Sequence, residues 1–387
     1  MSLNVKDIKN KIIHTVLPGS RLLSFICILL LLLAGCSKDP IREKPVDPPS
    51  PPPPPGDTTR VTYKHGIFII NEGNYSWANA SVTYIDNSTD SVYQDIYQSA
   101  NNHGLGDVAQ SMKIMGNKGF IIVNNSNRIE VVSLTDFKTI TSITGFDSPR
   151  YLEFVDSSKA YVTNMKKNIS VVDLKSMTVV RTIPTPYWTE NLLHYGQFMF
   201  VTCIGSFNEP SADRKAQVYI IDTRTDMITD SILMGKEPVS ITVDRKDKIW
   251  VICSGGYDNF EAPTLKRIDP QLMVVDKSFT FPVQQGVPSR LCINPTGDTL
   301  YFINGGVFQM PANATELPAS PLIPANGHLF YGLGIHPVSG QVYVSDAVNY
   351  VQSGYIFKCS QSNGQVIETY KAGRIPGSFC FTSSSAK

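Results

Sequence analysis

The chain has 387 residues, of which 42% are hydrophobic, enough to build a sizeable core. Its 34 basic and 33 acidic residues nearly balance, and beyond residue 35 the counts are 30 and 32, a net charge of −2. This balance argues against a nucleic-acid partner, which requires a strongly basic surface. Five cysteines follow residue 36, an odd number at scattered spacings with no C-x-x-C pair, so we expect neither a disulfide framework nor a metal site.

The N-terminal segment, residues 1–35, has the pattern of a secretory signal peptide. Four basic residues precede an apolar run at 22–33, which is too short to span a membrane comfortably. The run ends in Leu33-Ala34-Gly35-Cys36, which resembles a bacterial lipobox. We therefore predict lipidation of Cys36 and anchoring of the protein to a membrane through the lipid. The alternative is an ordinary signal peptide with an incidental cysteine.

A proline-rich stalk is predicted for residues 36–63. Nine prolines lie between Asp39 and Arg60, and no apolar periodicity accompanies them. Such a segment cannot bury a core and favours extended polyproline II conformation. We expect a disordered, semi-rigid spacer between the anchor and the folded head.

A repeat covers residues 64–382 and predicts an all-β, seven-bladed β-propeller. Its unit is an apolar strand with an aromatic residue, closed three positions later by a small or polar residue. The copies are Phe68…Asn71, Ile121…Asn124, Tyr161…Asn164, Phe200…Cys203, Trp250…Cys253, Tyr301…Asn304 and Tyr343…Asp346. Spacings of 40–50 residues with several short strands per unit are typical of propellers.

We expect four strands in each blade and closure of the ring by the C-terminal segment. The stalk precedes the strand that starts at Gly66, so the first blade lacks an inner strand of its own. The segment Ser378-Phe379-Cys380-Phe381 follows the outer strand of blade seven, and we predict that it supplies that inner strand. Residues 383–387 are left as a tail.

Two motifs resemble known propeller families. Ala160–Asn164 followed by Ile169–Asp173 resembles the YVTN-type propeller repeat, and the opening Gly66–Tyr75 resembles the first blade of the cobalamin-capturing surface lipoproteins and of their "surface layer protein" relatives. From the lipobox onward the chain is similar to the cobalamin-capturing surface lipoproteins of gut Bacteroidetes (BtuG type). The resemblance implies a non-enzymatic binder that captures cobalamin and related corrinoids and passes them to a TonB-dependent outer-membrane transporter. It implies no catalytic residue, no resident cofactor and no metal site.

In a propeller, the loops between second and third strands and the connections between blades emerge on one face, here called the loop face. Aromatic and amide side chains concentrate in the segments predicted for this face, and aromatics on solvent-facing loops indicate binding. We expect about half of them to be packing residues. A structural role is the alternative for Arg150, because Arg290 holds the equivalent position in another blade. The predicted ligand-binding residues are Tyr75, Trp77, Asn79, Asn125, Arg150, Trp188, Phe207, Tyr257, Asn259, Phe308, Phe330 and Tyr350.

Other functions remain open at this stage. His103 and His328 lie in predicted loop-face segments, and we expect them to form hydrogen bonds or line the pocket rather than bind cobalt. A glycan- or protein-binding adhesin would use the same aromatic and amide groups. A lactonase-like hydrolase is a third possibility, although the chain has no G-x-S-x-G or H-E-x-x-H motif and its loop carboxylates are dispersed.

Overall fold

The computed structural model describes residues 62–205, 216–256, 261–283 and 286–382. The described strands form seven antiparallel sheets arranged as the blades of one ring, which confirms the seven-bladed propeller. Each inner strand contacts the inner strands of both neighbouring blades. The signal peptide, Cys36 and nearly all of the predicted stalk lie outside the described residues.

The first three blades contain eleven strands from residues 66–184 and one strand from the far end of the chain. Blade 1 consists of β1 (Gly66–Asn71), β2 (Ser81–Asp86), β3 (Val92–Tyr93) and, on the inside, β27 (Pro376–Phe381). Blade 2 consists of β4 (Ala109–Met115), β5 (Lys118–Val123), β6 (Arg128–Ser133) and β7 (Thr139–Thr144). Blade 3 consists of β8 (Pro149–Phe154), β9 (Lys159–Asn164), β10 (Asn168–Asp173) and β11 (Thr178–Pro184).

The remaining four blades follow in chain order. Blade 4 consists of β12 (Thr189–Tyr195), β13 (Phe198–Cys203), β14 (Gln217–Asp222) and β15 (Met227–Leu233). Blade 5 consists of β16 (Pro238–Val243), β17 (Ile249–Cys253), β18 (Thr264–Asp269) and β19 (Val274–Thr280). Blade 6 has β20 (Ser289–Ile293), β21 (Thr299–Asn304) and β22 (Gly306–Pro311), and blade 7 has β23 (Phe330–Ile335), β24 (Val342–Asp346), β25 (Ser353–Cys359) and β26 (Val366–Arg374).

Closure of the ring follows the prediction. Strand β27 pairs antiparallel with β1, with Ile67 opposite Phe381. Beyond the strand ends, the Gly66 N–H donates to Thr382 Oγ1 (2.8 Å), and the Thr382 N–H donates to the Gly66 carbonyl (3.0 Å). The first and last described segments of the ring therefore form one sheet.

The core consists of layers between neighbouring blades. Middle strands such as β1 are buried along their whole length, because both sheet faces pack on another blade. Outer strands such as β11 are mostly exposed, with only Val179 partly buried and Ile183 buried. In one layer Tyr161 of blade 3 packs with Leu192 and Val201 of blade 4. This arrangement explains why the middle strands are continuous apolar runs in the sequence.

Blade 6 departs from the prediction because it has three strands instead of four. The chain after β22 contains Pro318, Pro321 and Pro324, which cannot donate ladder hydrogen bonds. Only one bridge, between Val307 and Ile323, stands in for the fourth strand.

Two smaller features were not predicted. A short helix, α1 (Ile96–Asn101), joins β3 to β4. Tyr63, assigned to the stalk from the sequence, packs against Phe68, Tyr84 and Phe137. Within the described ranges, no helix is both long enough and apolar enough to cross a membrane.

Deleting residues from Gly377 onward should destabilise the propeller. The truncation removes the ladder partner of β1 and the aromatic side chains Phe379 and Phe381, which pack on the layer between blades 7 and 1. We expect the free energy of unfolding to fall by about 3 kcal/mol or more, from ~25 cal/mol per Å² of apolar area. Urea unfolding checks this, with deletion of residues 383–387 alone as the control. A truncated protein with the wild-type midpoint would contradict closure by β27.

Candidate ligand-binding face

Every inner strand has an irregularity at the same place. The pairing of each inner strand with its neighbour shifts register just after its first residue, where the chain enters from the loop face. Such bulges re-aim side chains. The residues at the shift are Gly377, Gln110, Arg150, Glu190, Val239, Arg290 and Tyr331, in order around the ring from blade 1 to blade 7.

The backbone at these positions is strained in several blades. Four residues with positive φ directly precede an inner strand: Val108 (55°), Ser148 (55°), Glu237 (54°) and Ile375 (53°). Left-handed backbone costs roughly 1–2 kcal/mol for a residue with a side chain. A conformation repeated in four blades is part of the framework that sets the bulges.

The inner strands surround a central channel, and the end of this channel on the loop face is here called the channel mouth. One half of the channel mouth is an ionic cluster around Arg150. Its guanidinium binds both carboxylate oxygens of Glu190, at 2.8 and 2.5 Å, and donates to the side-chain oxygen of Gln110. The Trp188 indole N–H donates to the same Glu190 carboxylate at 2.9 Å, and the Trp188 ring lies 5.4 Å from the guanidinium carbon. These four side chains come from blades 2, 3 and 4 and hold each other in place.

The other half is built around Glu72, which directly follows β1. Its Oε2 accepts a hydrogen bond from the Tyr331 hydroxyl at 3.0 Å, and its Oε1 lies 3.7 Å from an Arg290 guanidinium nitrogen. Arg290 also donates to the Tyr151 hydroxyl at 3.2 Å, which joins blade 6 to blade 3. We call the set Glu72, Gln110, Arg150, Tyr151, Glu190, Arg290 and Tyr331 the channel cluster.

The charges of the channel cluster compensate each other. Burial raises the pKa of Glu72, and the nearby Arg290 opposes that rise. Burial disfavours the charge on Arg150, but the Glu190 carboxylate outweighs it and raises the pKa of the guanidinium. Two arginines and two glutamates therefore balance in number and together form the floor of the loop face.

Two aromatic side chains project from the loop between β1 and β2. Tyr75 is 72% exposed and Trp77 is 74% exposed. The loop contains positive φ angles at Ser76 (67°) and Ala78 (49°), a conformation that side chains disfavour. Strain of this kind persists where surrounding contacts impose it, and it occurs often at ligand sites.

The contacts that impose this loop shape come from three blades. The Ser76 N–H donates to both oxygens of the Asp107 carboxylate, at 2.9 and 3.1 Å, and Asn125 donates to the same group at 2.5 Å. The side chains of Asn74 and Asn79 bond across the loop, and the Asn74 side-chain N–H donates to the Tyr350 carbonyl at 2.6 Å. Tyr75 and Trp77 are thus displayed on a loop that is fixed at both ends.

Tyr350 extends this aromatic surface toward the channel cluster. Its ring is 42% exposed and lies edge-on to Tyr331 at 5.7 Å. Exposed aliphatic side chains stand in the neighbouring connections between blades 5, 6 and 7 and in the loop after β24: Val283, Val287, Leu329 and Val351.

The twelve side chains predicted to bind ligand fall into several groups. Tyr75, Trp77 and Tyr350 are exposed on the loop face, whereas Asn79 and Asn125 shape the loop that carries the first two. Arg150 and Trp188 lie in or against the channel cluster. Phe207, Tyr257, Asn259 and the predicted lipidation site Cys36 lie outside the described residues.

Two phenylalanines occupy packing positions. Phe308 was placed in a loop from the sequence but lies in β22 and stacks on Phe302 at 5.6 Å, because the turn before it is short, between Asn304 and Gly306. Phe330 is the first residue of β23 and packs beside His328 and Phe357.

The sequence prediction missed most of the channel cluster. The predicted ligand-binding residues do not include Glu72, Gln110, Tyr151, Glu190, Arg290 or Tyr331. A signal was present, since polar or aromatic residues interrupt apolar inner strands just after Pro149, and near Pro288 and Pro376.

Reactive groups are few among the described side chains. The five described cysteines are free, and burial raises the pKa of each thiol. In the same part of the chain, no group of three or more His, Cys, Asp or Glu side chains is arranged to hold a metal ion.

Comparison with known proteins identifies a family and the fold. The family described as "Domain of unknown function (DUF5074)" matches residues 65–373. A "Quinonprotein alcohol dehydrogenase-like protein" from Bacteroides thetaiotaomicron superposes with a TM-score of 0.64 at 16% identity, covering 83% of this chain and 79% of its own. Hydrazine synthase from Kuenenia stuttgartiensis superposes with a TM-score of 0.56 at 14% identity, covering 71% and 89%. No curated protein matches the sequence significantly. At these identities the two structural matches show a shared fold alone.

Replacing only one member of the pair between Arg150 and Glu190 should destabilise the fold more than replacing both. Glu190→Met leaves a largely buried guanidinium without its carboxylate, and we expect a loss of about 3 kcal/mol. The double variant Arg150→Met/Glu190→Met should recover much of that loss, because no uncompensated charge remains. A double-mutant cycle by urea unfolding measures both. Losses that simply add would mean that the pair is not coupled.

Proposed function

The chain belongs to the DUF5074 family, and we propose that it is a non-enzymatic cell-surface lipoprotein that captures cobalamin and related corrinoids. In this proposal it delivers the ligand to a TonB-dependent transporter in the outer membrane. The observation that carries the proposal is the exposed aromatic surface of Tyr75, Trp77 and Tyr350 beside the channel cluster.

This surface suits a broad amphipathic ligand. Tyrosine and tryptophan supply large, flat contact areas with little loss of conformational entropy, and they often anchor binding surfaces. Here they stand on a loop already held by Asp107 and Asn74, so binding need not order it. A corrinoid is a partly apolar disc fringed by amides, which can cover the aromatic surface while its amides reach polar groups at the channel mouth.

The chemistry of the described residues favours binding over catalysis. Arg150 and Glu190 hydrogen-bond to each other, the Arg290 guanidinium lies 3.7 Å from Glu72, and burial raises the pKa of the cysteine thiols. A glycan would also stack on exposed aromatic rings, and the resemblance of Gly66–Tyr75 to the cobalamin-capturing lipoproteins favours a corrinoid over it.

The position of residue 63 is compatible with surface display. Tyr63 donates its N–H to the carbonyl of Leu134, in the turn between β6 and β7. That turn lies on the face opposite the loop face. The 22 residues from Asp39 to Arg60 would reach at most about 70 Å in polyproline II form. A tether of that length lets the loop face turn toward a transporter in the same membrane.

Alanine at Tyr75 or Trp77 should weaken corrinoid binding without unfolding the protein. Each side chain is more than 70% exposed, so its removal costs little stability, whereas an aromatic anchor is worth at least a tenfold change in affinity. Calorimetry with cyanocobalamin measures the change in affinity, and a melting curve confirms the fold.

Leu272→Ala is the matched control for this pair. Leu272 is 70% exposed but lies in the turn between β18 and β19, on the opposite face. We expect wild-type affinity from this variant. If the wild-type protein binds no corrinoid at micromolar concentration, a glycan array is the next assay and the corrinoid proposal is wrong.

Cys36→Ala should abolish lipidation and surface retention while the propeller still folds. Among the described residues Tyr63 is the first that packs on the core, and Cys36 precedes it by 27 positions, so we expect the substitution to leave the core unchanged. Proteolysis of intact cells, with mass spectrometry of the mature N-terminus, tests this. Surface display of the alanine variant at wild-type levels would rule out the lipid anchor.

A further inference from the structure

A cavity opens beside blade 6, the blade with three strands. It lies toward the loop face, between blades 5 and 6, and has a volume of about 360 Å³. Its walls come from the end of β19, from both strands of the hairpin formed by β21 and β22, and from the chain after β22. We call it the blade-6 cavity, and its principal lining residues are Phe281, Phe302, Asn304, Phe308, Leu317 and Ala319.

The cavity follows from the way the chain replaces the fourth strand. In the other blades an outer strand pairs along the whole edge of the third strand, whereas β22 has only the bridge between Val307 and Ile323. The replacing segment packs Leu317 against the layer between blades 5 and 6. A segment without a hydrogen-bonded ladder need not follow the sheet closely, so space remains between it and the hairpin.

The walls of the blade-6 cavity are largely aromatic. Phe302 and Phe308 are cross-strand partners whose rings are nearly parallel, with centroids 5.6 Å apart and an interplanar angle of 3°. Phe281 meets Phe302 edge-on at 5.5 Å. Phe308 is only partly buried, so its ring remains available to a further group. Aromatic rings prefer offset-stacked or edge-to-face partners, and these walls offer both arrangements to a flat ring.

The volume sets the size of the ring system. An apolar cavity of ~150 Å³ is large enough to bind benzene, and the blade-6 cavity has more than twice that volume. It is also within the range typical of small-molecule sites. Two fused rings therefore fit, with little room for a larger ligand.

The carboxamide of Asn304 provides a polar group in this apolar lining. Asn304 ends β21, and its buried Oδ1 has no hydrogen-bond partner among the described residues. A buried acceptor without a partner is unfavourable, so a donor that reached it would be bound strongly. The torsion that orients a carboxamide is broad and nearly two-fold, so the group can turn its oxygen toward a ligand.

We propose that the blade-6 cavity binds a flat bicyclic aromatic molecule whose ring N–H donates to Oδ1 of Asn304. The proposal goes beyond corrinoid capture and does not depend on it. Tyr75 and Trp77 stand on a loop of blade 1, whereas the cavity belongs to blades 5 and 6.

The test compares indole with 1-methylindole on the purified full-length protein. The two probes have the same fused rings, but a methyl group replaces the N–H proton in the second. A site that accepts a hydrogen bond rejects an analogue without the donor, so we expect indole to bind at least tenfold more tightly. Titration calorimetry measures both affinities.

Two variants and a control assign the site. Asn304→Leu keeps the approximate size of the side chain but removes the acceptor, so it should lose the preference for indole. Ala319→Trp should fill the cavity and abolish binding of both probes. Ser320→Trp is the matched control, because Ser320 is the exposed neighbour of Ala319 and does not line the cavity, and it should keep the wild-type affinity. Melting curves confirm that each variant folds.

The outcomes separate this site from the aromatic surface of the loop face. Loss of indole binding in Tyr75→Ala or Trp77→Ala, with binding retained in Ala319→Trp, would mean that indole stacks on the exposed aromatics and that the cavity proposal is wrong. It is also wrong if no indole binds at millimolar concentration, or if the wild type binds both probes equally. Indole binding that Ala319→Trp abolishes and Tyr75→Ala retains supports the second site, whether or not the protein binds a corrinoid.

Discussion

The pairing of β27 with β1 joins segments that are more than 300 residues apart, and the geometry of the whole ring depends on it. This contact brings blades 7 and 1 together, so the two end blades also have a neighbour on each side. It also shapes the channel cluster, since Gly377 of β27 lies directly against Glu72. A Cβ atom at residue 377 would come within 2.4 Å of Glu72 Oε1. The strand that closes the ring therefore also affects how the charges at the channel mouth are arranged.

Two groups of residues on the loop face have different roles, one in holding the blades together and the other in presenting exposed aromatic side chains. The channel cluster joins blades across the channel through bonds such as that between Arg290 and Tyr151, and it holds the inner strands at fixed positions. Tyr75 and Trp77 make few contacts of their own and remain exposed, while Asp107 and Asn74 maintain the strained loop beneath them. Rigid support under exposed apolar groups reduces the entropy lost on binding.

The sequence predicted the ring well because a propeller repeats its chemistry. Apolar middle strands and the C-terminal strand segment followed from periodicity and from the need to cover sheet edges. The three-stranded blade 6 was missed, although Pro318 and Pro321 were visible, because one repeat was assumed to resemble the others. The site was harder to predict. Exposed Tyr75 and partly buried Phe308 have similar local sequence character, and only the length of the turn before Phe308 decides its position. The pairing of Arg150 with Glu190 joins residues 40 positions apart and depends on bulges that no local pattern encodes.

The order in which the chain is synthesised constrains when this protein can be complete. The inner strand of blade 1 is made after the other blades, so the ring stays open until residues 376–381 have been synthesised. Until residues 376–381 emerge, one edge of β1 has no hydrogen-bonding partner strand. The adjoining apolar layer around Ile67 and Tyr343 also lacks the side chains that pack on it. Contacts of such long sequence separation form slowly, since loop closure must precede any gain from packing. An open ring with an unpaired strand edge is prone to aggregation, so chaperone protection would matter most in the interval before the last strand arrives.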